Sequence, residues 1–148
     1  MILREYQTSD CKEIAELFYN TVHAINASDY TDEELNAWAS GEIDIDEWDI
    51  SLKKNDTVVA IIDGVIVGFG DIDKSGYLHR LFVHKNYQRQ GIATAICHQL
   101  ESKVSGKIST HASITAKSFF ENRDYKVIKE QQVKRKGILL TNFVMEVE

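Results

Sequence analysis

The chain contains no proline and only two cysteines, and from Glu13 to Leu52 it carries neither lysine nor arginine. The absences differ in what they exclude. The lack of proline has no physical account, but without low-complexity tracts nothing resembles an interior linker, so the 148 residues read as one domain, 1–148, long enough to bury its own core. Cys11 and Cys97 stand far apart in segments that read as helices, with no Cys-x-x-Cys or Cys/His spacing. A disulfide framework, a redox motif and a metal site are therefore not expected, and both thiols should be buried and reduced. No stretch approaches the roughly 20 apolar residues that span a bilayer, so no membrane association is expected. The opening Met1-Ile2-Leu3-Arg4-Glu5-Tyr6 lacks the apolar run of a secretory leader and reads as a first strand, which points to the cytoplasm.

The charge that is present is unevenly placed. The segment free of lysine and arginine holds eleven carboxylates: Glu13, Glu16, Asp29, Asp32, Glu33, Glu34, Glu42, Asp44, Asp46, Glu47 and Asp49. The rest of the chain sets 17 basic residues against the other 12 of the 23 acidic ones, so the formal net charge of −6 divides into −11 and +5. Such a division suits a polyanionic cofactor on the basic part and a cationic substrate on the acidic part. A solvated helix face beside an acidic loop produces the same pattern. The acidic total argues against sequence-independent nucleic-acid binding, which needs a basic surface.

Periodicity organises the chain. Ile2 to Gln7 reads as a strand, and Ser9-Asp10 offer N-cap oxygens to a helix with Ile14, Leu17, Phe18, Thr21 and Val22 on one face. Thr31 and Glu34 form a capping box that starts a short helix near Asp32, whereas Glu42 to Asn55 is ambiguous between helix and loop. Two apolar strands, 57–62 and 65–72, flank Asp63-Gly64, a type I′ hairpin signal, and a turn at Lys74-Ser75-Gly76 leads into a strand from Tyr77 to Val83. A helix from Gly91 to about Lys103, a strand at Lys107–His111, a helix at Thr115–Asn122 and two final strands, 125–134 and 138–147, complete a mixed α/β order.

Between the Tyr77–Val83 strand and the following helix lies the most informative segment. Gln88-Arg89-Gln90-Gly91-Ile92-Ala93 fits the pattern Gln/Arg-x-x-Gly-x-Gly/Ala. Small residues there let the backbone approach a phosphate, and the free N–H groups and positive dipole end of the helix would face the anion. Downstream, Ala116-Lys117-Ser118-Phe119-Phe120-Glu121-Asn122-Arg123-Asp124-Tyr125 is similar to a second block, Ala-x-x-Phe-Tyr-x-x-x-Gly-Phe.

These two blocks, in this order, resemble those of the GCN5-related N-acetyltransferases, and the likeness covers nearly the whole chain. The resemblance implies a mostly antiparallel twisted sheet of about seven strands flanked by helices. It also implies acetyl-CoA as acyl donor, no metal, and direct attack of a primary amine on the thioester. The pyrophosphate would lie on Gln88, Arg89, Gln90, Gly91, Ile92, Ala93 and Thr94. The pantetheine arm would pair with the backbone of Leu81, Phe82 and Val83, with Ser113, Phe119 and Phe120 beside it. An N–H near Leu81 or Phe82 would polarise the thioester carbonyl.

For catalysis, strand alternation puts Tyr77, His79, Leu81 and Val83 on one face, two steps from the expected carbonyl site. His79 is the leading general base, because an imidazole removes a proton near neutrality; Tyr77 stands beside it and Asp71 is a rival. Phe120 occupies the place where many relatives carry a proton-donating tyrosine, and phenylalanine donates none. The acid is therefore unassigned, with Tyr125 or Tyr87 as substitutes. Ser113 stands where relatives often have an asparagine, and Asp124 replaces a glycine that needs a left-handed backbone.

The substrate pocket implied by the resemblance falls on the acidic segment, where Tyr30, Trp38 and Trp48 are interspersed with carboxylates. Aromatic faces beside carboxylates favour a cationic acceptor, either a small-molecule or a peptide amine. The alternative to an enzyme is a non-catalytic acyl-CoA-binding sensor, which the missing tyrosine would permit. Dimers are common among relatives, which leaves a homodimer open for this chain.

Overall fold

The computed structural model describes every residue from Met1 to Glu148. Its elements run β1 (Ile2–Glu5), α1 (Cys11–Ile25), α2 (Asp32–Trp38), α3 (Ile45–Lys54), β2 (Asp56–Ile62), β3 (Val65–Ile72), β4 (Tyr77–Val83), α4 (Ile92–Glu101), β5 (Ile108–Ser113), α5 (Lys117–Glu121), β6 (Lys126–Arg135) and β7 (Ile138–Val147). The seven strands form one sheet in the order β1-β2-β3-β4-β5-β7-β6, antiparallel except between β4 and β5. This is the mixed α/β architecture expected from the sequence.

Local chemistry explains most boundaries. The β2–β3 turn has positive φ at Asp63 (51°) and Gly64 (79°), the geometry of a type I′ hairpin. At α2 the capping box closes: the Glu34 N–H donates to Thr31 Oγ1 at 3.2 Å, and Glu34 Oε1 accepts from the Thr31 N–H at 2.8 Å. The ambiguous segment forms α3, started by Asp44 Oδ1 accepting from the Glu47 N–H; only Leu52 of this helix is buried. Asp10 does not cap α1. Its carboxylate accepts instead from both terminal nitrogens of Arg4, at 2.8 and 2.9 Å, and from the Gln7 N–H. The strand expected to stop at His111 continues to Ser113, because Ala112 and Ser113 pair with Phe143 and Asn142 of β7.

Both faces of the sheet are covered. On one, α1, α2 and α3 enclose Ile14, Leu17, Val22, Leu35, Leu52 and Phe69; on the other, α4 and α5 enclose Val67, Leu78, Ile96, Leu100 and Met145. Two glycines let α4 lie close to β3. A Cβ at Gly68 would stand 2.9 Å from Ile96 Cδ1, and one at Gly70 would stand 2.9 Å from both Leu100 Cδ1 and the Arg80 carbonyl oxygen. These contacts fix the position of the helix whose N-terminus faces the site.

Candidate active site

The sheet splits between β4 and β5. Only Tyr77↔Ser109 and Leu78↔Thr110 pair, and the Thr110 hydroxyl donates to the Leu78 carbonyl at 3.0 Å just where the strands part. Beyond that fork lies a cleft of about 270 Å³, lined on its strand walls by Leu81, Phe82, Ala112 and Ser113 among others. The polar edge of β4 facing the gap follows from its ladder. The His84 N–H donates to the Val67 carbonyl, and pairing then runs in register through Val83, Phe82 and Leu81. Antiparallel strands direct alternate residues to alternate sides, so the Phe82 peptide is committed to β3 while Leu81 and Val83 face the fork. The Val83 carbonyl is already taken, accepting from the Thr21 hydroxyl at 3.0 Å and Gln88 Nε2 at 2.8 Å. The expectation of three backbone contacts to a ligand therefore narrows. Leu81 offers both polar groups, Val83 only its N–H, and Phe82 its ring.

The cradle lies past the end of β4. Arg89 and Gly91 both have positive φ, 61° and 80°, and this turns the chain abruptly into α4. The first helical bond recorded is from the Ala95 N–H to the Gly91 carbonyl, and no side chain caps the helix. The N–H groups of Ile92, Ala93 and Thr94 are thus left without helical partners. A Cβ at Gly91 would meet nothing within 4 Å, so the approach is open. A large anion fits this arrangement. Arg89 and Gln90 are exposed at the rim, Ala93 is half-buried and Thr94 exposed. Two residues expected to touch the anion are otherwise engaged. The Gln88 amide donates to the Val83 and His84 carbonyls and so holds the loop, and the Ile92 side chain is buried in the α4 core, leaving only its N–H.

Register also changes the expected face of His79. Asp71 opposes Arg80, but Ile72 opposes Leu78, so His79 is an extra residue in β4. Such a bulge interrupts the alternation. Leu78, rather than Tyr77, shares the α4-side core with Leu81 and Val83. Tyr77 and His79 remain neighbours, their rings 4.5 Å apart, and the ring of His111 from β5 lies 5.1 Å from Tyr77. All three line the cleft. The imidazole of His79 is held from behind by Asp73, which accepts its Nε2–H at 2.8 Å. Burial pushes the Asp73 carboxyl up, but hydrogen bonds from the Ser75 hydroxyl, His79 and the Tyr77 and Ser75 N–H groups outweigh it and leave the carboxyl at about 2. Burial also raises the Tyr77 phenol above the ordinary tyrosine range.

Asp71 is a correction. Its side chain has no exposed surface and does not line the cleft, so it cannot meet an acceptor as a base. It lies instead beneath Arg80, whose guanidinium donates to Asp71 Oδ2 at 2.9 Å and to the Ser51 hydroxyl at 2.7 Å while lying 5.0 Å over the Trp48 ring. Asn55 Nδ2 donates to the same carboxylate oxygen. Burial raises the Asp71 carboxyl above the ordinary range against the pull of Arg80. Arg80 lines the cleft and was missed in the sequence, where nothing distinguishes it from a solvated strand arginine.

The remaining wall is aromatic. Trp38 and Trp48 both lie near Phe18, and Trp38 lies 6.2 Å from Phe82 and 5.6 Å from Tyr30. Tyr30, Trp38 and Trp48 all line the cleft, as does Phe18. The Tyr30 hydroxyl is engaged, donating to the Thr141 carbonyl and accepting from the Ile114 N–H. None of the eleven carboxylates of the acidic segment lines the cleft. Several serve the fold: Glu13 accepts from the Ile66 N–H, Glu34 and Asp44 cap helices, and Asp49 accepts from Tyr6. The inference from acidic segment to cationic acceptor therefore loses its basis. No cluster of His, Cys, Asp and Glu that could hold a metal ion is formed.

The family model for the acetyltransferase (GNAT) domain matches residues 26–147. This chain belongs to the GCN5-related N-acetyltransferase family. The chain is 35% identical over 144 residues to an uncharacterized N-acetyltransferase, YafP, of Escherichia coli strain K12, covering 97% of this chain and 93% of that protein. A GCN5-related N-acetyltransferase from Rhodopseudomonas palustris, described as a class-II aminotransferase, superposes with a TM-score of 0.94 at 28% identity, covering 98% and 93% of the two chains. The fold is shared more distantly by the PaiA N-acetyltransferase of Thermoplasma acidophilum, solved with coenzyme A: TM-score 0.75, identity 15%, coverage 98% and 96%.

Acetyltransferase membership fixes acetyl-CoA as the acyl donor. The second sequence block then has a structural meaning in this chain. Phe120 is buried among Phe119 and Tyr125, with ring centroids 5.1 and 5.0 Å away, and reaches the cleft as an apolar surface; Phe119 packs against the core and does not line it. Asp124 has φ of 70°, the left-handed geometry expected of it. Tyr125 does not replace the missing acid: its hydroxyl donates to Glu101 Oε2 at 2.7 Å in a buried network with Cys97 and Arg123, away from the cleft. Tyr87 does not line the cleft either. Thr110, His111, Arg135 and Asn142 line it and were not singled out in the sequence; alternation of His111 and Ser113 along β5 is the one signal that pointed there.

Proposed function

We propose that this acetyltransferase transfers an acetyl group from acetyl-CoA to a primary amine by direct attack within the β4–β5 fork. The observation that carries the reading is the position of the fork beside the uncapped N-terminus of α4, which offers both a channel for an extended arm and a seat for its phosphates. Acetyl-CoA, when bound, supplies the activated acetyl group. The Leu81 N–H is a donor aimed into the fork, suited to hold a carbonyl oxygen as charge gathers on it. His79 takes the proton of the amine through Nδ1, because Nε2 is committed to Asp73. Asp73 is a positioning residue that fixes the ring and its tautomer. With Phe120 unable to donate, the departing thiolate takes its proton from solvent, a modest demand for a thiol with an ordinary pKa near roughly 8.5.

Two measurements test this reading. Calorimetric titration with acetyl-CoA should give micromolar binding, and a panel of primary amines should release free thiol from it. Absence of binding at millimolar acetyl-CoA would overturn the placement of the cradle. Binding without thiol release from any amine would mark a sensor rather than an enzyme.

A further inference from the structure

Resting on that reading, we propose that the amine acceptor carries a carboxylate: an apolar or aromatic amino acid, its body against the aromatic wall and its carboxylate on Arg135.

The lining of the cleft supports this by what it contains and what it omits. Its cationic members are Arg80 and Arg135, the imidazoles of His79 and His111 also line it, and no aspartate or glutamate is among the lining residues. Asp71 Oδ2 accepts from Arg80 and Asn55 while Asp71 Oδ1 is buried without a partner, outside the lining, and Asp73 accepts from Ser75, His79 and the Tyr77 N–H. The Arg80 charge is correspondingly answered by Asp71. Arg135 is different. Its only hydrogen bond is to the neighbouring Lys134 carbonyl, at 3.3 Å, and it forms no ion pair. Lys129 lies six positions before Arg135 on the same strand, after the bulge at Ile128. After burial, repulsion from Lys129 and Arg135 lowers the pKa of His111, but only Arg135 lines the cleft. A lining cation without a compensating anion draws a negative group from the ligand.

A second unmet demand lies close by. Asn142 Oδ1 is buried with no partner and belongs to the lining. A buried acceptor without a donor costs free energy that an N–H of the ligand recovers. The same lining includes Phe18, Trp38, Trp48 and Phe82, which suit an apolar body. A polyamine would bring a second cation toward Arg135 and find no carboxylate to meet it.

Thiol release from acetyl-CoA, followed with phenylalanine, phenethylamine and spermidine as acceptors, isolates the carboxylate. Phenylalanine should exceed phenethylamine in kcat/KM by about tenfold or more, the worth of one charge-assisted hydrogen bond, with spermidine the poorest. Arg135→Gln should collapse that ratio toward unity, mainly through KM for phenylalanine, and Arg135→Lys should restore part of it. Acetyl-CoA titration of each variant checks that the fold is intact. Equal or better use of phenethylamine or spermidine overturns the proposal, as does an unchanged ratio in Arg135→Gln or no turnover of any of the three by protein that binds acetyl-CoA. Failure of acetyl-CoA to bind at all overturns the acetyltransferase reading itself.

Discussion

His79 Nε2 lies 2.8 Å from Asp73 Oδ2, and the carboxylate that holds it is itself fixed by a turn, through the Ser75 hydroxyl and two backbone N–H groups. Its hydrogen bonds leave the Asp73 carboxyl at about 2, so it is ionised at neutral pH and able to hold the ring. His79→Ala should lower kcat by about 100-fold, the usual scale of general-base catalysis, with acetyl-CoA affinity unaltered. Asp73→Asn removes the carboxylate that fixes the ring and its tautomer, and should lower kcat less than His79→Ala does, on the order of tenfold, with KM for acetyl-CoA unaltered. Unchanged kcat in Asp73→Asn would show that the contact is structural only.

Gly91 combines a φ of 80° with open space around its missing Cβ. Gly91→Ala should cost about 1–2 kcal/mol in a denaturant titration, the strain of a left-handed backbone at a residue with a Cβ. Gly91→Glu adds bulk and a negative charge at the helix N-terminus, and should abolish acetyl-CoA binding in a calorimetric titration. Retained binding would place the pyrophosphate elsewhere.

Gly70 has less room. A Cβ there meets the Arg80 carbonyl oxygen as well as Leu100 Cδ1 at 2.9 Å, and the backbone oxygen cannot swing aside. Gly70→Ala should destabilise the protein by about 1–3 kcal/mol, the typical cost of overpacking. Because α4 is pushed off β3, acetyl-CoA affinity should fall as well. Denaturation and titration of the same variant check both effects.

The Asp71–Arg80 pair gives a pH-dependent signature. Arg80→Met leaves the fully buried Asp71 with Asn55 as its only recorded side-chain donor, and should cost about 3–5 kcal/mol at neutral pH. Burial already raises the Asp71 carboxyl, and loss of Arg80 raises it further, so the folded variant binds a proton more readily than the unfolded chain. Its stability relative to the parent should therefore recover as pH falls below neutrality and protonation removes the buried charge. Urea titrations at several pH values would show whether the deficit shrinks.

Features governed by a few consecutive residues were legible in the sequence. The type I′ turn at Asp63-Gly64, the capping box of Thr31 and Glu34, and the left-handed Asp124 each depend on local backbone and side-chain chemistry. The left-handed turn at Gly91 into α4 belongs with them. Features that depend on pairing were not legible. The bulge at His79 exists only relative to β3, and it undid the alternation argument for Tyr77, Leu81 and Val83. The same ladder decides that the Phe82 peptide is committed while that of Leu81 is free. Arg80 gained its place from Asp71, Ser51 and Trp48, three residues distant in sequence. The acidic segment misled for a related reason: composition shows how many carboxylates a helix carries, but docking decides which way they face.

The Tyr30 hydroxyl, on the loop before α2, reaches the Thr141 carbonyl of β7 and the Ile114 N–H just after β5. Tyr30 itself belongs to the aromatic wall. A single side chain thus fastens the helical side of the cleft to the far half of a sheet that is otherwise parted at the fork. The aperture between the two halves is set by a tie across its open end, in the way that a brace sets the spread of a hinge.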